Sequence, residues 1–225
     1  MSQRPLLIVL SGAGMSVESG LSTFRGSGGL WEGYNIEEVA SIAGWRKNPQ
    51  KVIEFYNMRR RQALTAKPNA GHLALQALEN RFEVRIITQN VDVLHEAAGS
   101  TTVLHLHGRL DQVFSELDPH NPIECLEDLD TDAWKAENRA LRPNIVWFGE
   151  EVPMMQLATS WVQCADYFLV VGTSLQVYPA AHLIHELKPG TPAWYVDPNP
   201  ELHRIPAGFS CIRATASEGI KQLKF

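Results

Sequence analysis

The run Leu6-Leu7-Ile8-Val9-Leu10, followed by Ser11 and the turn Gly12-Ala13-Gly14, constrains this chain most. Consecutive apolar residues without alternation make a strand buried on both faces, the mark of a parallel sheet covered by helices. In such sheets ligands gather at the carboxyl ends of the strands, and a glycine turn there lets backbone approach a phosphate. A complete dinucleotide fingerprint would place a third glycine where Val17 stands and an acidic residue about 20 positions further on. Neither is present, so the turn alone leaves two readings open, a nucleotide site or an ordinary strand-to-helix turn.

A length of 225 residues accommodates one domain with a sizeable core, or a large domain carrying a smaller inserted one. The formal charge of −5 gives no basis for capture of nucleic acid or an anionic membrane by the whole surface. Cys125, Cys164 and Cys211 are odd in number and far apart, which argues against a disulfide framework and for a reducing compartment. The amino-terminal apolar run is too short for a signal peptide and no later run is long enough to span a bilayer. The expectation is a cytoplasmic protein with no specific nucleic-acid partner and no membrane.

Apolar runs recur at Leu6 to Leu10, Val84 to Ile87, Val103 to Leu106, Ile145 to Phe148, Phe168 to Val171 and Ala193 to Val196. Their alternation with helical segments predicts an α/β, Rossmann-like fold, a parallel sheet with helices on both faces. Residues 31–79 carry helical patterning without a strand-like run. Residues 109–143 are acidic, contain Pro119 and Pro122 and form no clear element before Ala133. Both stretches read as insertions: a large lobe from 1–30, 80–108 and 144–225, and a small inserted lobe from 31–79 and 109–143.

Three further motifs follow predicted strands: Thr88-Gln89-Asn90-Val91-Asp92-Val93-Leu94-His95, His107-Gly108 and Gly172-Thr173-Ser174. With Gly12 to Gly20, Thr23-Phe24-Arg25 and Val146-Trp147-Phe148-Gly149-Glu150, they follow the family's motif order over nearly the whole chain. On these residues the chain resembles the sirtuin family of NAD-dependent lysine deacylases, which implies one catalytic domain across 1–225. The resemblance implies that Gly12, Ala13 and Gly14 bring backbone amides to the NAD diphosphate. It places Thr23, Phe24 and Arg25 in a loop over the cofactor, Phe24 covering the nicotinamide ribose and Arg25 engaging phosphate. Gln89, Asn90 and Asp92 are expected at the ribose and carboxamide, and Gly172, Thr173 and Ser174 on the adenosine side. Asp197 stands where an Asn near the adenine ribose is usual, and Ala216 closes a degenerate form of the last adenine motif.

His107 matches the general base, with Asn90 and Asp92 beside it in the catalytic set, and an imidazole suits that task near neutral pH. His72, His95 and His105 read as structural. The products implied are free lysine, nicotinamide and O-acyl-ADP-ribose. Val146, Phe148, Gly149 and Glu150, with Ser174 to Tyr178, match the stretches between which the acylated lysine peptide lies as an added strand, where backbone pairing demands little sequence.

Tyr56 and Arg59 are three apart in a helical segment and share a face. They resemble the sirtuin branch whose Tyr-x-x-Arg pair grips the distal carboxylate of succinyl and malonyl lysine, and an arginine fork fits that carboxylate. Read from the residues alone, the segment is also a solvated basic face, since Arg60 and Arg61 follow. The usual four zinc cysteines are missing: residues 109–144 hold only Cys125, so no zinc is expected. A core of Leu110, Val113, Phe114, Leu117, Ile123, Leu126, Leu129, Trp134 and Leu141 is expected to stabilise the small lobe. A plain deacetylase, an ADP-ribosyltransferase and a silent NAD sensor remain as alternatives.

Overall fold

The computed structural model describes residues 4–23, 30–131 and 141–225. In chain order it runs β1 (Leu6–Ser11), a 3₁₀ turn (Ala13–Ser19), the hairpin β2 (Leu30–Trp31) and β3 (Tyr34–Asn35), and helices α1 (Ile36–Val39), α2 (Ile42–Lys47), α3 (Pro49–Thr65) and α4 (Ala70–Leu78). There follow β4 (Glu83–Thr88), α5 (Leu94–Ala97), β5 (Val103–His105), β6 (Gly108–Ser115), β7 (Asp118–Glu124) and β8 (Leu141–Ile145). The chain ends with α6 (Met155–Gln163), β9 (Tyr167–Val171), β10 (Ala193–Val196), β11 (Phe209–Ile212) and α7 (Ala216–Gly219).

Six strands form one parallel sheet in the order β11-β10-β9-β1-β4-β5. The chain leaves β1 toward β4 and β5, then crosses to β9 on the other side, so the strand order reverses at β1 and a crevice opens beyond its carboxyl end. Leu7 to Leu10 are fully buried because both faces of β1 are covered. Ile8 and Leu10 pack with Phe168, Val170 and with Ala158 and Val162 of α6, whereas Leu7 and Val9 pack with Ile86, Leu169 and Leu75 of α4. The predicted α/β architecture is thus observed. α4, expected within the smaller lobe, packs instead on the main sheet.

The membership of that sheet needs one correction. The run Ile145–Phe148 is not one of its strands: Ile145 ends β8, in a separate antiparallel sheet of order β7-β6-β8. The sixth parallel strand is β11, whose sequence Phe-Ser-Cys-Ile is only half covered at the sheet edge and therefore lacks a continuous apolar run.

Residues 109–124 also form strands where none was expected. Every residue of β7 is exposed, so it carries no apolar period, and as an edge strand it accommodates Pro119 and Pro122. Leu110 and Val113 are buried as expected, but Leu117, Ile123 and Leu126 are 89%, 55% and 50% exposed. Trp134 lies outside the described residues. The lobe's core comes mainly from the helices: Val39, Trp45, Val52, Ile53, Phe55 and Tyr56 pack with Leu110, Ile145 and Trp147.

Polar groups of α3 fasten this lobe. Arg60, 1% exposed, donates through Nε to the Leu110 carbonyl (2.8 Å) and through Nη1 to Asn57 Oδ1 (2.8 Å) and the Glu127 carbonyl (3.1 Å). Asn57 in turn donates to the Leu129 carbonyl and accepts the Leu129 amide, each at 2.9 Å. The basic-face reading therefore fails for Arg60 and holds only for Arg61, which is exposed and paired with Asp128. Among the described residues no three His, Cys, Asp or Glu side chains gather as a metal site, and no helix is long and apolar enough to cross a membrane.

Candidate functional site

A cleft of about 470 Å³ opens beyond the carboxyl ends of β1, β4, β9 and β10 and reaches under α3. Its lining joins Gly12, Ala13, Gly14, Thr23, Gln89, Asn90, Asp92, His107, Gly172, Thr173, Ser174 and Asp197 with Tyr56, Arg59, Val146, Phe148, Gly149 and Glu150. Predicted positions far apart in sequence therefore share one cavity.

The glycines at the end of β1 serve close approach. A Cβ on Gly12 would stand 2.6 Å from Thr173 Cβ, and one on Gly172, at φ +63°, would stand 2.3 Å from the Met15 nitrogen. The turn after β1 and the loop after β9 interlock at distances no side chain permits. The Gly12 and Gly14 amides are consumed in this contact, donating to the Val171 (3.1 Å) and Gly172 (2.8 Å) carbonyls. The expected donation of these two amides to a diphosphate is thereby corrected: with both hydrogens engaged inside the protein, the glycines shape the cradle. Gln89 Nε2 donates to Thr173 Oγ1 (3.1 Å), and the Thr173 carbonyl accepts from Tyr195 (2.7 Å), so the loop after β9 is held from both sides.

Ser16, which the sequence reading passed over, organises the centre of the cleft. Its hydroxyl donates to Asp92 Oδ2 (2.9 Å) and accepts from Asn90 Nδ2 (3.1 Å). All three side chains are at most 7% exposed. Burial raises the Asp92 pKa, against the Leu94 amide and the Ser16 hydroxyl that hold it down. Behind them, Thr88 Oγ1 accepts the Asn90 amide (3.0 Å) and the Ser11 hydroxyl (2.9 Å), and Ser11 meets His95 Nε2 at 2.9 Å. His105 lies between the Asn90 carbonyl (3.0 Å) and Glu96 (2.7 Å). His95 and His105 thus support the cleft wall, His72 packs on the His95 ring, and none of the three lines the cleft.

His107 does line the cleft. Its Nδ1 meets the Gln89 carbonyl at 3.0 Å, and a carbonyl only accepts, so Nδ1 carries the proton and Nε2 keeps its lone pair. Burial pushes the imidazole pKa down, with the Gln89 carbonyl opposing, so the ring stays unprotonated at neutral pH. Geometry and protonation state both suit a base.

Under α3 the surroundings change. Tyr56 is 1% exposed and its hydroxyl accepts from Trp147 Nε1 (2.9 Å). Arg59 is 5% exposed, donates to Gln62 Oε1 (3.0 Å) and lies 4.7 Å from the Trp31 ring centre. Burial lowers the Arg59 pKa, opposed first by Glu32. Glu150 grips Arg142 through both oxygens (2.8 and 2.9 Å) and accepts the Trp147 amide (2.9 Å), so its carboxylate shapes the segment and is not free for a substrate. The amides of Val146, Phe148 and Glu150 also donate within the chain, to the carbonyls of His107, Ala40 and Trp147.

One expected position needs revision. Ala216 is 4% exposed and packs under the main sheet, and its neighbour Thr215 faces the cleft. Phe24 and Arg25 lie outside the described residues. Ser16, Trp147 and Thr215 stand inside motifs legible in the sequence but were given no role there, and Arg142 was missed. The signal for Ser16 and Thr215 was a hydroxyl within a glycine or alanine motif.

The family model described as the Sir2 family matches residues 12–179. The chain is 50% identical over 217 residues to an NAD-dependent protein deacylase of Helicobacter pylori strain J99, covering 96% of this chain and 93% of that one. It is 47% identical over 225 residues to an NAD-dependent protein deacylase of Bacteroides thetaiotaomicron, covering 97% and 96%. Among solved structures, a Sir2 homolog–NAD complex superposes with a TM-score of 0.85 at 38% identity, covering 97% of this chain and 88% of that one. A Sir2 complex with an inhibitor, 2′-O-acetyl-ADP-ribose and a deacetylated p53 peptide gives 0.76 at 28% identity, covering 96% and 91%.

Proposed function

This chain belongs to the Sir2 family and is an NAD-dependent protein deacylase, and within that activity we propose that it removes succinyl and malonyl as well as acetyl groups from protein lysine. The cleft suits NAD: it has a glycine-walled cradle that any Cβ would fill, beside a buried hydroxyl, amide and carboxylate able to meet ribose and carboxamide. NAD supplies, when bound, the ribose carbon that receives the acyl oxygen and the nicotinamide that leaves.

His107 is the general base, taking a ribose hydroxyl proton on Nε2 while Nδ1 stays anchored to Gln89. The observation that carries this role is the free Nε2 lone pair on the cleft wall, with a pKa that burial holds below the ordinary histidine value. Asn90 and Asp92 orient the nicotinamide end, held by Ser16. Asp92 accepts from the carboxamide with the oxygen sites that Ser16 and Leu94 leave open. Asp197 and Thr215 meet the adenosine. Thr23 lines the same cleft beside the cofactor.

Tyr56 and Arg59 read the acyl group. A buried guanidinium attracts an acyl carboxylate strongly, and part of that attraction is consumed in removing water from both charges. The acylated peptide adds as a strand between 146–150 and 174–178, two stretches that line the same cleft. Substituting His107 by Ala is expected to abolish deacylation while NAD binding, followed by calorimetry, persists. Retained turnover would remove His107 from the mechanism. The second reading, a plain deacetylase, is favoured by one observation: the Glu32 carboxylate lies 3.6 Å from Arg59.

A further inference from the structure

We propose that Glu32 is the resident counter-ion of Arg59 and sets how far the acyl pocket accepts neutral acyl groups. The inference rests on reading Arg59 as the ligand of an acyl carboxylate. Glu32 occupies the turn between β2 and β3 at φ +50°, a conformation that residues other than glycine rarely adopt. There its Oε1 stands 3.6 Å from Arg59 Nη1 and also accepts the Ser22 hydroxyl, which itself lies 3.5 Å from Nη1. The preceding residue, Trp31, lies against the same guanidinium, so the hairpin presents an aromatic ring and a carboxylate together.

The groups around Arg59 show what this carboxylate does. Gln62, Ser22, Trp31 and Tyr56 are neutral. Asp92 acts on Arg59 from across the cleft, and Glu32 is the closest anion. The Arg59 side chain is 6% exposed and its Nε–H has no acceptor among the described residues. A cation in that position must be compensated or it is strongly disfavoured. An acetyl group brings no charge, so with acetyl-lysine bound the compensation comes from Glu32. A succinyl or malonyl group brings its own carboxylate and competes with Glu32 for the same guanidinium. Glu32 therefore weakens acidic acyl groups and makes room for neutral ones, and one side chain balances the two substrate classes.

The test is a double-mutant cycle of Glu32→Gln with Arg59→Met, measuring kcat and KM on one peptide carrying succinyl-lysine or acetyl-lysine. Glu32→Gln is expected to lower KM for succinyl-lysine and raise it for acetyl-lysine, moving the kcat/KM ratio about fivefold toward succinyl, the scale of a partly exposed charge pair. The shift should disappear in the Arg59→Met background, and Ser22→Ala should move the ratio the same way by less. Desuccinylation that falls in Arg59→Met but is unmoved by Glu32→Gln would overturn the counter-ion role and leave the acid-acyl reading standing. Desuccinylation indifferent to Arg59→Met would overturn both. An equal shift with and without Arg59 would also overturn the proposal, because Glu32 would then act elsewhere.

Discussion

Beneath the carboxyl end of the parallel sheet, many of the buried polar side chains are neutral: Ser11, Ser16, Thr88, Asn90, His72 and His95 are 0–6% exposed. Under α3 the buried polar groups include three cations, Arg59, Arg60 and Arg142, at 1–5% exposure. Neutral groups need only hydrogen-bond partners, whereas buried cations also need anions, carbonyls or rings to offset lost hydration. Arg142 has Glu150 and the Trp147 ring at 3.6 Å, and Arg60 has three oxygen acceptors. The difference teaches that the sheet end is sensitive to protonation and the lobe to loss of a partner.

Arg60→Ala should break this comparison most severely. It leaves the Leu110 and Glu127 carbonyls without this donor and Asn57 Oδ1 with only the Leu129 amide, and about 3 kcal/mol of unfolding free energy is expected to go. Urea denaturation measures it, and a loss below about 1 kcal/mol would mean that the lobe does not depend on its buried cation. Acid probes the other region. Burial depresses the His72 pKa from 6.5 to about 4 and pushes His95 well below its ordinary value. Between those values the unfolded chain binds more protons than the native one, so stability is full above 6.5 and is lost as pH falls toward 4. About 3 kcal/mol should disappear across that window for His72 alone. His72→Gln keeps a side chain able to accept the Asn69 amide and should flatten the acid limb; an unchanged slope would sink the assignment.

Smaller effects sharpen the contrast. Tyr56→Phe removes the acceptor of the buried Trp147 N–H and should cost about 1 kcal/mol in a thermal melt. Arg61→Ala, one residue from Arg60 but exposed, should stay within about 0.5 kcal/mol of the parent. A large loss there would show that charge on the outer face of α3, and not burial, holds the lobe.

Legibility in the sequence follows the same division. Leu6 to Leu10 stood out because β1 is covered on both faces and so has no polar residue to interrupt it. The cofactor-side residues stood out because their motifs follow predicted strands and match those of the sirtuin family in order, where each motif alone also fits a structural role. β7 and β11 were invisible because edge strands face solvent and carry no continuous apolar pattern. The lobe's core was misassigned in part for a related reason: Leu117, Ile123 and Leu126 look like core residues in one dimension yet are exposed, whereas Phe55, Tyr56 and Trp147 join Leu110 in the core. Arg60 was indistinguishable from Arg61 because burial of a charge depends on distant carbonyls that no local pattern encodes. Glycine, read as a bringer of amides, proved at Gly12 to be a matter of clearance.

The central claim is that one cleft joins a histidine-bearing cofactor region to a cationic acyl pocket. The most direct test follows succinyl-lysine and acetyl-lysine versions of one peptide by mass spectrometry, with and without NAD, in the parent protein and in Arg59→Met. The account predicts NAD-dependent loss of both groups with matching O-acyl-ADP-ribose, and a fall of about tenfold or more in desuccinylation, but not deacetylation, when Arg59 is removed. Succinyl removal that is absent in the parent, or equal losses on both peptides in Arg59→Met, would contradict it.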